Sequence, residues 1–556
     1  MINIIPEPLY FERLENPFSL GKTIYLSFSN DSDTQHPLKF FAGYIQDFFT
    51  NFLYIECEIK TEYSENREIE IIENTEIIEI KMVLNEEQLR TKFEKIHPLL
   101  DQFSRSSDEA YYLSMSRSTI EIIGKSYKGI FYAIQSLLWY INSYDLNGET
   151  LTMDSFKIFD VPRFQWRGLL LDEARHFQGA EAVKQILDIM AFLKLNTFHW
   201  HLTDDQGWRL EIKKYPKLIE IGSKRDNTQK GGYLSRKTTG KPHQGHYTQA
   251  QIKDIIEYAR KRAITVVPEI DIPGHCMSAL AAYPELSCTG KNVSVPTRFG
   301  IKKDVFCPGK EEVFEFLENV LDEIIDLFPS EIIHIGGDEV PKTRWKNCEA
   351  CQKRITEEGL KNEKELQAYF TNRIHQYLKS KDKKTMGWNE ITEADIDKGI
   401  IVQFWMKRLE NTLKHIRKGG EAVMSRFSRV YLNKDYVVIP QKRCYFYDPI
   451  PKELEKEFHS NILGTEACLW GEFIRNANRR NYMLFPRLAA FSETAWTLKG
   501  NKNYSRYQKK LDNFLKYLKG KNIPYADLSK VDPCVLKRIF VPILLLKEPK
   551  VPIDKA

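Results

Sequence analysis

The 556-residue chain lacks the features that mark several large classes of protein. Its longest apolar run near the C-terminus, IFVPILLL, is far too short to span a bilayer, so we expect no membrane association. The first residues, MINIIPEPLYFERLENPFSL, show no charged segment followed by an apolar one, which predicts no secretory signal and a cytoplasmic location. Net charge is only +5, from 81 basic and 76 acidic residues, so nucleic acid is not an expected partner.

Cysteine is also sparse, with nine residues scattered through a large protein. This odd number is typical of reduced intracellular thiols. One pair, Cys348 and Cys351 in CEAC, has the spacing of a pair of zinc ligands. A tetrahedral structural zinc needs two further ligands, and no second CxxC or HxxxH follows. We therefore predict two free thiols on a loop, with no metal and no cofactor, and keep a zinc site as the alternative.

Aromatic residues, in contrast, are abundant, with 27 Tyr, 32 Phe and 9 Trp, and they are sufficient for a large core. Residues 67–84 and 111–124 are rich in Ile and Tyr, which predicts strands. Residues 127–142 have the period of an amphipathic helix. These segments indicate a smaller α+β accessory domain over residues 1–155, without an evident catalytic cluster.

Between residues 156 and 500, apolar, often β-branched segments alternate with helical ones. Eight segments have the pattern of strands: RGLLLDEARHF, TFHWHLTDD, AITVVPEIDIPGH, EIIHIGGDE, KKTMGWNE, IIVQFWM, EAVMSRFSRVYLN and ILGTEACLWGE. The pattern favours an α/β fold, a (β/α)8 TIM barrel, although periodicity alone leaves a doubly wound open sheet as an alternative. Residues 501–556 are predicted to form a C-terminal extension, with a helix at 504–520 and a loop-rich tail.

Each predicted strand ends in polar or aromatic residues. They are Arg175, Asp204, His275, Asp338 with Glu339, Trp388, Trp405, Tyr431 to Asn433, and Trp470 to Glu472. Barrel enzymes assemble their active sites at the C-terminal ends of the strands. Packing alone does not explain eight such endings, so we predict one shared pocket.

Two adjacent acids, Asp338 and Glu339, follow the buried strand in EIIHIGGDE. Side chains alternate along a regular strand, but the two glycines before the acids permit unusual dihedral angles, so both carboxylates can reach one ligand. Glycoside cleavage needs a proton donor and a group that stabilises an oxocarbenium-like centre. Two carboxylates in different surroundings can meet both needs at one pH. Asp204 and His275 are predicted to form a supporting relay behind Glu339 that modulates its pKa.

Three tryptophans at different strand ends, Trp388, Trp405 and Trp470, predict a flat apolar box. Aromatic faces stack on the C–H faces of sugars, while indole N–H groups remain available as donors. A cation and two hydroxyl-binding side chains accompany this box, namely Arg175, Asn433 and Glu472. The set suits a neutral polyol with one apolar substituent.

Together the motifs HIGGDE, RGLLLDEARHF, FHWHLTDD, IDIPGH and EACLWGE resemble glycoside hydrolase family 20, the β-N-acetylhexosaminidases. IIPEP and GIFYAIQSLLWYI are similar to the accessory domain of that family, so the resemblance extends from the N-terminal module through the barrel. It implies an exo-acting, retaining enzyme that releases terminal non-reducing β-linked N-acetylglucosamine or N-acetylgalactosamine from an oligosaccharide or glycoconjugate. No cofactor is implied, and homo-oligomerisation stays open.

The resemblance also implies substrate-assisted catalysis, in which the 2-acetamido carbonyl of the substrate attacks the anomeric carbon to give an oxazolinium intermediate. Asp338 would then orient the acetamide, and Glu339 would protonate the leaving oxygen and afterwards activate water. The other implied roles are hydroxyl binding by Arg175, Asn433 and Glu472, enclosure of the acetamide methyl by Trp388, Trp405 and Trp470, and a hydrogen bond from Tyr431 to the acetamide oxygen. Some relatives carry Asp where this chain has Asn433, which leaves the gluco or galacto preference open.

Two other functions are compatible with parts of the sequence. His199 and His201 form an HxH on a predicted strand, which together with His275 and His334 suggests a metal-dependent amidohydrolase barrel. That class carries its HxH on the first strand, whereas here it falls on the second, and strands five to eight supply no histidine. We therefore predict supporting roles for His199 and His201. A catalytically inactive carbohydrate-binding barrel would lack an acid, and both acids are present.

Overall fold

The accessory domain, the barrel and most of the C-terminal extension can be followed in a computed structural model of the chain. It describes residues 2–20, 23–29, 35–52, 58–63, 77–94, 107–117, 119–144, 151–534, 546–549 and 551. Within these ranges no helix has both the length and the apolar character needed to cross a membrane. The predicted architecture, a (β/α)8 barrel preceded by an α+β domain, is confirmed.

A seven-stranded mixed sheet forms the accessory domain. Its strands lie in the order Tyr10–Arg13, Phe156–Asp160, Tyr111–Ser116, Thr119–Gly124, Ile77–Leu84, Thr23–Ser29 and Glu58–Tyr63. The predicted segment 111–124 is two antiparallel strands, in which Ser116 pairs with Thr119. The predicted strand at 67–84 is seen from residue 77, and residues 67–76 lie outside the described ranges.

In the described residues of this domain the α-helices are Gln35–Asp47, Glu86–Glu94 and Tyr127–Asn142. The last has the predicted bounds and is buried along most of its length. It begins after Ser126, whose side chain accepts a hydrogen bond from the amide of Lys128 and so caps the helix. Phe156–Asp160 pairs inside this sheet, and the first barrel strand starts at Trp166. The chain therefore passes between the domains at 161–165, a little after the predicted boundary at residue 155.

Eight parallel strands close the barrel. They are Trp166–Asp172, Thr197–Asp204, Thr265–Ile270, Ile332–His334, Lys384–Trp388, Ile401–Phe404, Ala422–Met424 and Ile462–Leu469. The first strand pairs with both the second and the eighth, because Gly168 lies opposite Thr197 on one side and Glu466 on the other. The closed ring excludes the open sheet that periodicity had left as an alternative.

Helices surround this ring, and they explain why the strands read as continuous apolar runs. The longer ones are Ala180–Phe192, Gln249–Arg260, Glu311–Leu327, Glu349–Glu357, Glu363–Ser380, Leu409–Arg417, Ala477–Leu484 and Arg487–Trp496. Gln249–Arg260 begins with a capping box, in which Thr248 and Gln251 each accept a hydrogen bond from the other's backbone amide. Its buried residues, such as Ile252, Ile255 and Ile256, follow the helical period.

The seventh strand differs from the prediction. It ends at Met424, whereas Tyr431 and Asn433 had been placed at its end. A short helix, Phe427–Val430, lies between the end of the strand and Tyr431. Tyr431 then returns to the barrel through a parallel bridge with Cys468 of the eighth strand. Both residues consequently still lie at the C-terminal end of the barrel.

The predicted C-terminal helix is present as Tyr504–Gly520. It lies between the two domains, because Phe514 stacks on Trp139 of the accessory helix and Tyr517 stacks on Phe192 of the first barrel helix. The side-chain amide of Asn513 also donates to the Trp139 carbonyl at 2.9 Å. Of the predicted loop-rich tail, residues 535–545, 550 and 552–556 lie outside the described ranges.

Two buried ion pairs join the accessory domain to the barrel. Arg167 of the first barrel strand donates to both carboxylate oxygens of Glu109, at 2.6 and 3.1 Å. Lys194 Nζ lies 3.0 Å from Asp160 Oδ2. All four side chains are buried, so the loss of either partner leaves a charge without compensation in a low-dielectric region.

We predict that Glu109→Ala lowers the free energy of unfolding by about 3–5 kcal/mol, the usual effect of breaking a buried pair. The matched control is Glu121→Ala, because Glu121 pairs with Lys92 at a partly exposed position of the same domain, where such pairs contribute up to about 1 kcal/mol. Urea unfolding of both variants provides the measurement. Equal losses in the two variants would contradict the role given to the Arg167 contact.

Candidate active site

One cleft at the C-terminal ends of the barrel strands contains all the predicted site residues. The cavity is about 430 Å³, within the range of small-ligand sites. Predicted residues that line it are Arg175, Asp204, His275, Asp338, Glu339, Trp388, Trp405, Tyr431, Asn433, Trp470 and Glu472. Its walls also include residues that the sequence did not indicate, among them Asp205, Gln206, Tyr233, Phe299 and Ile301.

The turn that carries the two acids depends on its glycines. The fourth strand ends at His334, and Gly336 and Gly337 then adopt φ values of +65° and +94°. A Cβ on Gly336 would lie 1.9 Å from Asp271 Oδ1, so no other residue fits there without displacement. Glu339 itself has φ +50°, an uncommon conformation for a residue with a side chain. The strand alternation is broken here, as predicted.

Both acids face the same histidine ring. His275 Nε2 lies 3.8 Å from Asp338 Oδ2 and 3.7 Å from Glu339 Oε2. On its other side, Nδ1 lies 3.2 Å from Asp205 Oδ2 and 3.4 Å from Asp204 Oδ1. Although burial lowers the pKa of His275, the carboxylates of Asp204 and its neighbours raise it well above the ordinary value. A buried imidazolium therefore lies beneath the two acids, and Asp205 joins Asp204 in holding it.

The surroundings separate the protonation behaviour of the two acids. Burial raises the pKa of Asp338 to about 6, and the nearby Glu339 charge raises it while His275 lowers it. For Glu339, burial also raises the pKa, but the proximity of the charged His275 ring and the charge of Arg175 outweigh it, so that its pKa is lowered. In the ligand-free site a single shared proton therefore resides mainly on Asp338.

An aromatic box closes one side of the cleft. The rings of Trp388 and Trp470 lie 5.6 Å apart and Tyr431 lies 6.2 Å from Trp470. Trp405 and Tyr431 are nearly parallel, with an interplanar angle of 16° and centroids 6.0 Å apart. The three tryptophans predicted from separate strand ends thus form one apolar surface, which Tyr431 completes.

One buried and one half-buried carboxylate fix the orientation of two of these indoles. Trp388 Nε1 donates to Glu269 Oε1 at 2.8 Å, and Trp405 Nε1 lies 2.9 and 3.0 Å from the oxygens of Glu390. Burial and the nearby Asp338 charge raise the pKa of Glu390 to about 8. Sequence reasoning missed Glu390, although its position two residues after Trp388 in GWNEI was a usable signal.

Arg175 is held by carboxylates on two strands. Its guanidinium lies 3.0 Å from Asp172 Oδ2 and 2.5 Å from Asp204 Oδ2. It also lies over the ring of Trp470, 5.1 Å from the centroid. These contacts leave the side chain 11% exposed, so the cation is a fixed donor in the pocket wall.

The outer end of the pocket is polar. Glu472 Oε1 accepts a hydrogen bond from the Tyr233 hydroxyl at 2.6 Å. Five buried polar atoms of the site have no hydrogen-bond partner in the described part of the chain: Asp338 Oδ1, His275 Nε2, Gln206 Oε1, Asn433 Oδ1 and Glu472 Oε2. Buried polar atoms are nearly always paired in folded proteins. These atoms therefore indicate where a polar ligand would bind. Tyr233 lies in a loop without periodicity, and no sequence signal pointed to it.

The HxH histidines lie below the pocket. His201 Nδ1 lies 2.5 Å from Glu269 Oε2, and its Nε2 lies 2.9 Å from Asp204 Oδ2. His199 Nδ1 lies 2.8 Å from Glu466 Oε1. Among the histidines of the amidohydrolase alternative, only His275 lines the cavity. This placement agrees with supporting roles for His199 and His201.

Comparison with family models gives two matches that together span most of the chain. Residues 164–499 match the catalytic domain of glycosyl hydrolase family 20, and residues 1–160 match domain 2 of the same family. The first match covers the barrel and all the site residues. The second covers the accessory sheet.

Individual relatives agree with these matches. A beta-hexosaminidase of Porphyromonas gingivalis is 40% identical, over 73% of this chain and 53% of that protein. A beta-hexosaminidase of Vibrio furnissii is 37% identical, over 72% of this chain and 66% of that protein. In both cases a third or more of the relative's own length is unmatched. The solved GH20 exo beta-N-acetylglucosaminidase of Vibrio harveyi, in complex with N-acetylglucosamine, has 30% identity and a TM-score of 0.78, covering 94% of this chain and 78% of that chain.

Proposed function

The chain belongs to glycosyl hydrolase family 20, and we propose that it is an exo-acting, retaining β-N-acetylhexosaminidase. Its substrate would be an oligosaccharide or glycoconjugate with a terminal non-reducing β-linked N-acetylglucosamine or N-acetylgalactosamine. The reaction would use the acetamide of the substrate as the nucleophile and pass through an oxazolinium intermediate.

The observation that carries this proposal is that Asp338 and Glu339 face one histidine, His275, in the cavity that the aromatic box lines. Asp338 has a buried oxygen without a partner, and Trp388, Trp470 and Tyr431 enclose an apolar space in the same pocket. An acetamide carries an N–H donor, a carbonyl and a methyl group. The N–H would donate to the Asp338 carboxylate, the carbonyl would accept from the Tyr431 hydroxyl, and the methyl group would contact the tryptophan faces.

The proposed first step needs one proton and one internal nucleophile. Glu339 gives its proton to the glycosidic oxygen while the bond from that oxygen to the anomeric carbon breaks. The acetamide carbonyl oxygen forms the new bond to the anomeric carbon, and Asp338 accepts a hydrogen bond from the acetamide nitrogen, which becomes positively charged. In the second step Glu339 takes a proton from water, whose oxygen attacks the anomeric carbon and opens the oxazolinium ring.

The polar end of the pocket supports exo action. Arg175, Asn433 and Glu472 lie around the same cavity as the acids, where they would bind the hydroxyl groups of a single terminal sugar. Tyr233 closes this end through its hydrogen bond to Glu472. The leaving group would then extend past Glu339, which is 35% exposed.

We predict that Glu339→Gln lowers turnover by roughly 10²–10⁴, the usual contribution of a positioned acid or base. Activated aryl substrates should lose less than disaccharides in the first step, because a good leaving group scarcely needs a proton. The measurement compares kcat/KM for a nitrophenyl glycoside and for a disaccharide. Glu285→Gln, at a surface position away from the pocket, serves as the control. Identical losses on both substrates would contradict the assignment of Glu339 as the acid.

We predict that Asp338→Asn lowers kcat more than it weakens substrate binding, because the neutral amide retains the shape but does not stabilise the cationic oxazolinium. A thiazoline mimic of the intermediate should bind the wild type far more tightly than the variant. β-Glucosides that lack the acetamide should react slowly, since a positioned internal nucleophile contributes about 7 kcal/mol or more. Wild-type cleavage of β-glucosides as fast as of their 2-acetamido counterparts would exclude substrate assistance.

The shared proton of the two acids predicts a pH profile. The pair must carry one proton for Glu339 to act as an acid, and it loses that proton as the pH rises through the pKa of Asp338, about 6. We therefore expect kcat/KM for a disaccharide to fall above about pH 6 and to fall again below the lowered pKa of Glu339. In Asp338→Asn the upper limb should move to lower pH, because Glu339 alone then titrates. An unmoved upper limb would show that another group controls it.

A further inference from the structure

Four cysteine side chains meet in the segments that follow the third and fourth barrel strands. Cys307 Sγ lies 3.5 Å from Cys351 Sγ and 3.7 Å from Cys348 Sγ, and Cys288 Sγ lies 3.8 Å from Cys351 Sγ. All four sulfur atoms lie within 4.8 Å of one another. Cys307, Cys348 and Cys351 are buried and Cys288 is half-buried.

These distances are those of ligands around one ion. Zinc binds thiolate sulfur at about 2.3 Å, and a regular tetrahedron of that radius has edges of about 3.8 Å. A disulfide needs sulfur atoms at about 2.05 Å. Cys307 is almost equally distant from Cys348 and Cys351, which is the arrangement of a shared centre and not of two separate pairs. We propose that Cys288, Cys307, Cys348 and Cys351 bind a single Zn²⁺.

The proposed site is closed and structural. Four thiolates complete the tetrahedral coordination of zinc, so no position is left for water or substrate. None of the four cysteines lines the substrate cavity, and the hydrolysis proposed above uses no metal. Zinc would therefore contribute to folding and to the position of the loops, since binding to a preformed site stabilises the folded state.

The sequence prediction of two free thiols on a loop is wrong in its placement. Cys348 immediately precedes the helix Glu349–Glu357 and Cys351 lies in its first turn. The further ligands lie earlier in the chain, separated from CEAC by the helix Glu311–Leu327 and the fourth barrel strand. Cys288 and Cys307 are single cysteines that precede CEAC and form no motif of their own. They approach Cys348 and Cys351 only in the folded barrel, so sequence spacing does not reveal them.

The proposed zinc would fix a wall of the substrate pocket. Cys288 and Cys307 bracket residues 289–306, and Phe299, Gly300 and Ile301 of this loop line the cavity. Cys348 and Cys351 follow the turn that carries the two acids. One ion would thus join the loop at the pocket mouth to the segment after the catalytic turn.

Other contacts bring these segments together at the same place. Trp345 Nε1 donates to the Phe306 carbonyl at 2.9 Å, and Arg344 Nε lies 2.7 Å from Asp304 Oδ1. The backbones approach so closely that a Cβ on Gly309 would lie 2.3 Å from the Ala350 carbonyl carbon. The four cysteines therefore lie where the two segments are already packed and hydrogen-bonded to each other.

The first test measures metal in the full chain, purified without added metal and under reducing conditions. By inductively coupled plasma mass spectrometry we expect about one zinc per chain in the wild type. The zinc content should fall to near zero in Cys351→Ala. Cys288→His should retain zinc, because three cysteines and one histidine are also a common structural set. Cys444→Ala, at a buried cysteine outside the cluster, is the matched control and should keep the metal. Iron in place of zinc, or four free thiols with no metal, would overturn the proposal.

A second test needs no substitution. Titration of the native chain with an organomercurial should release zinc in step with four thiols, and cobalt added after release should give the intense visible absorption of a tetrahedral thiolate site. Trypsin should then cleave the released chain at Lys291, Arg298, Lys302 or Lys303, which lie in the bracketed loop, much faster than the zinc form. Two intact disulfides in the untreated protein, or release of no zinc, would refute the site.

Discussion

The candidate active site depends on one buried carboxylate, that of Glu269 inside the barrel. It lies 2.5 Å from His201 Nδ1, 3.1 Å from His199 Nε2 and 2.8 Å from Trp388 Nε1. Burial raises its pKa, but the surrounding histidines outweigh that effect and hold its pKa well below the ordinary range. A single charge inside the barrel thereby orients an indole of the aromatic box and the imidazole of His201, whose other nitrogen lies 2.9 Å from Asp204.

From Glu269 the charges alternate outward to the pocket. His201 is a cation between Glu269 and Asp204, and Asp204 in turn lies beside Arg175 and His275. Each buried charge has a neighbour of opposite sign, the condition under which buried ions are tolerated. The last cation of this series, His275, lies next to the carboxylates of Asp338 and Glu339. Removing one member would leave the next uncompensated, so the site behaves as a connected network in which single positions are coupled.

Several parts of this arrangement could be predicted from the sequence because they depend on local order. Strand and helix alternation gave the barrel, and the polar endings of its strands placed residues such as Arg175 and Trp470 in one pocket. The remaining parts depend on contacts between distant segments. Tyr233 and the approach of Cys288 and Cys307 to Cys348 and Cys351 leave no periodic signal. Tyr431 reaches the site only because a short helix follows the seventh strand.

The turn after the fourth strand shows why such distant contacts are needed. Three of its residues have positive φ, including Glu339, and an uncommon conformation of this kind persists only where the surroundings determine it fully. The Gly336 amide donates to His334 Nδ1 at 3.0 Å, and Gln367 Nε2 donates to the Gly337 carbonyl at 2.8 Å. These hydrogen bonds connect the turn to the fourth barrel strand and to the helix Glu363–Ser380. The segment after it is held by the contacts around the cysteine cluster, so the acids occupy a turn that is fixed at both ends. A fixed position suits carboxylates whose pKa values depend on their burial and on their distance from one imidazolium.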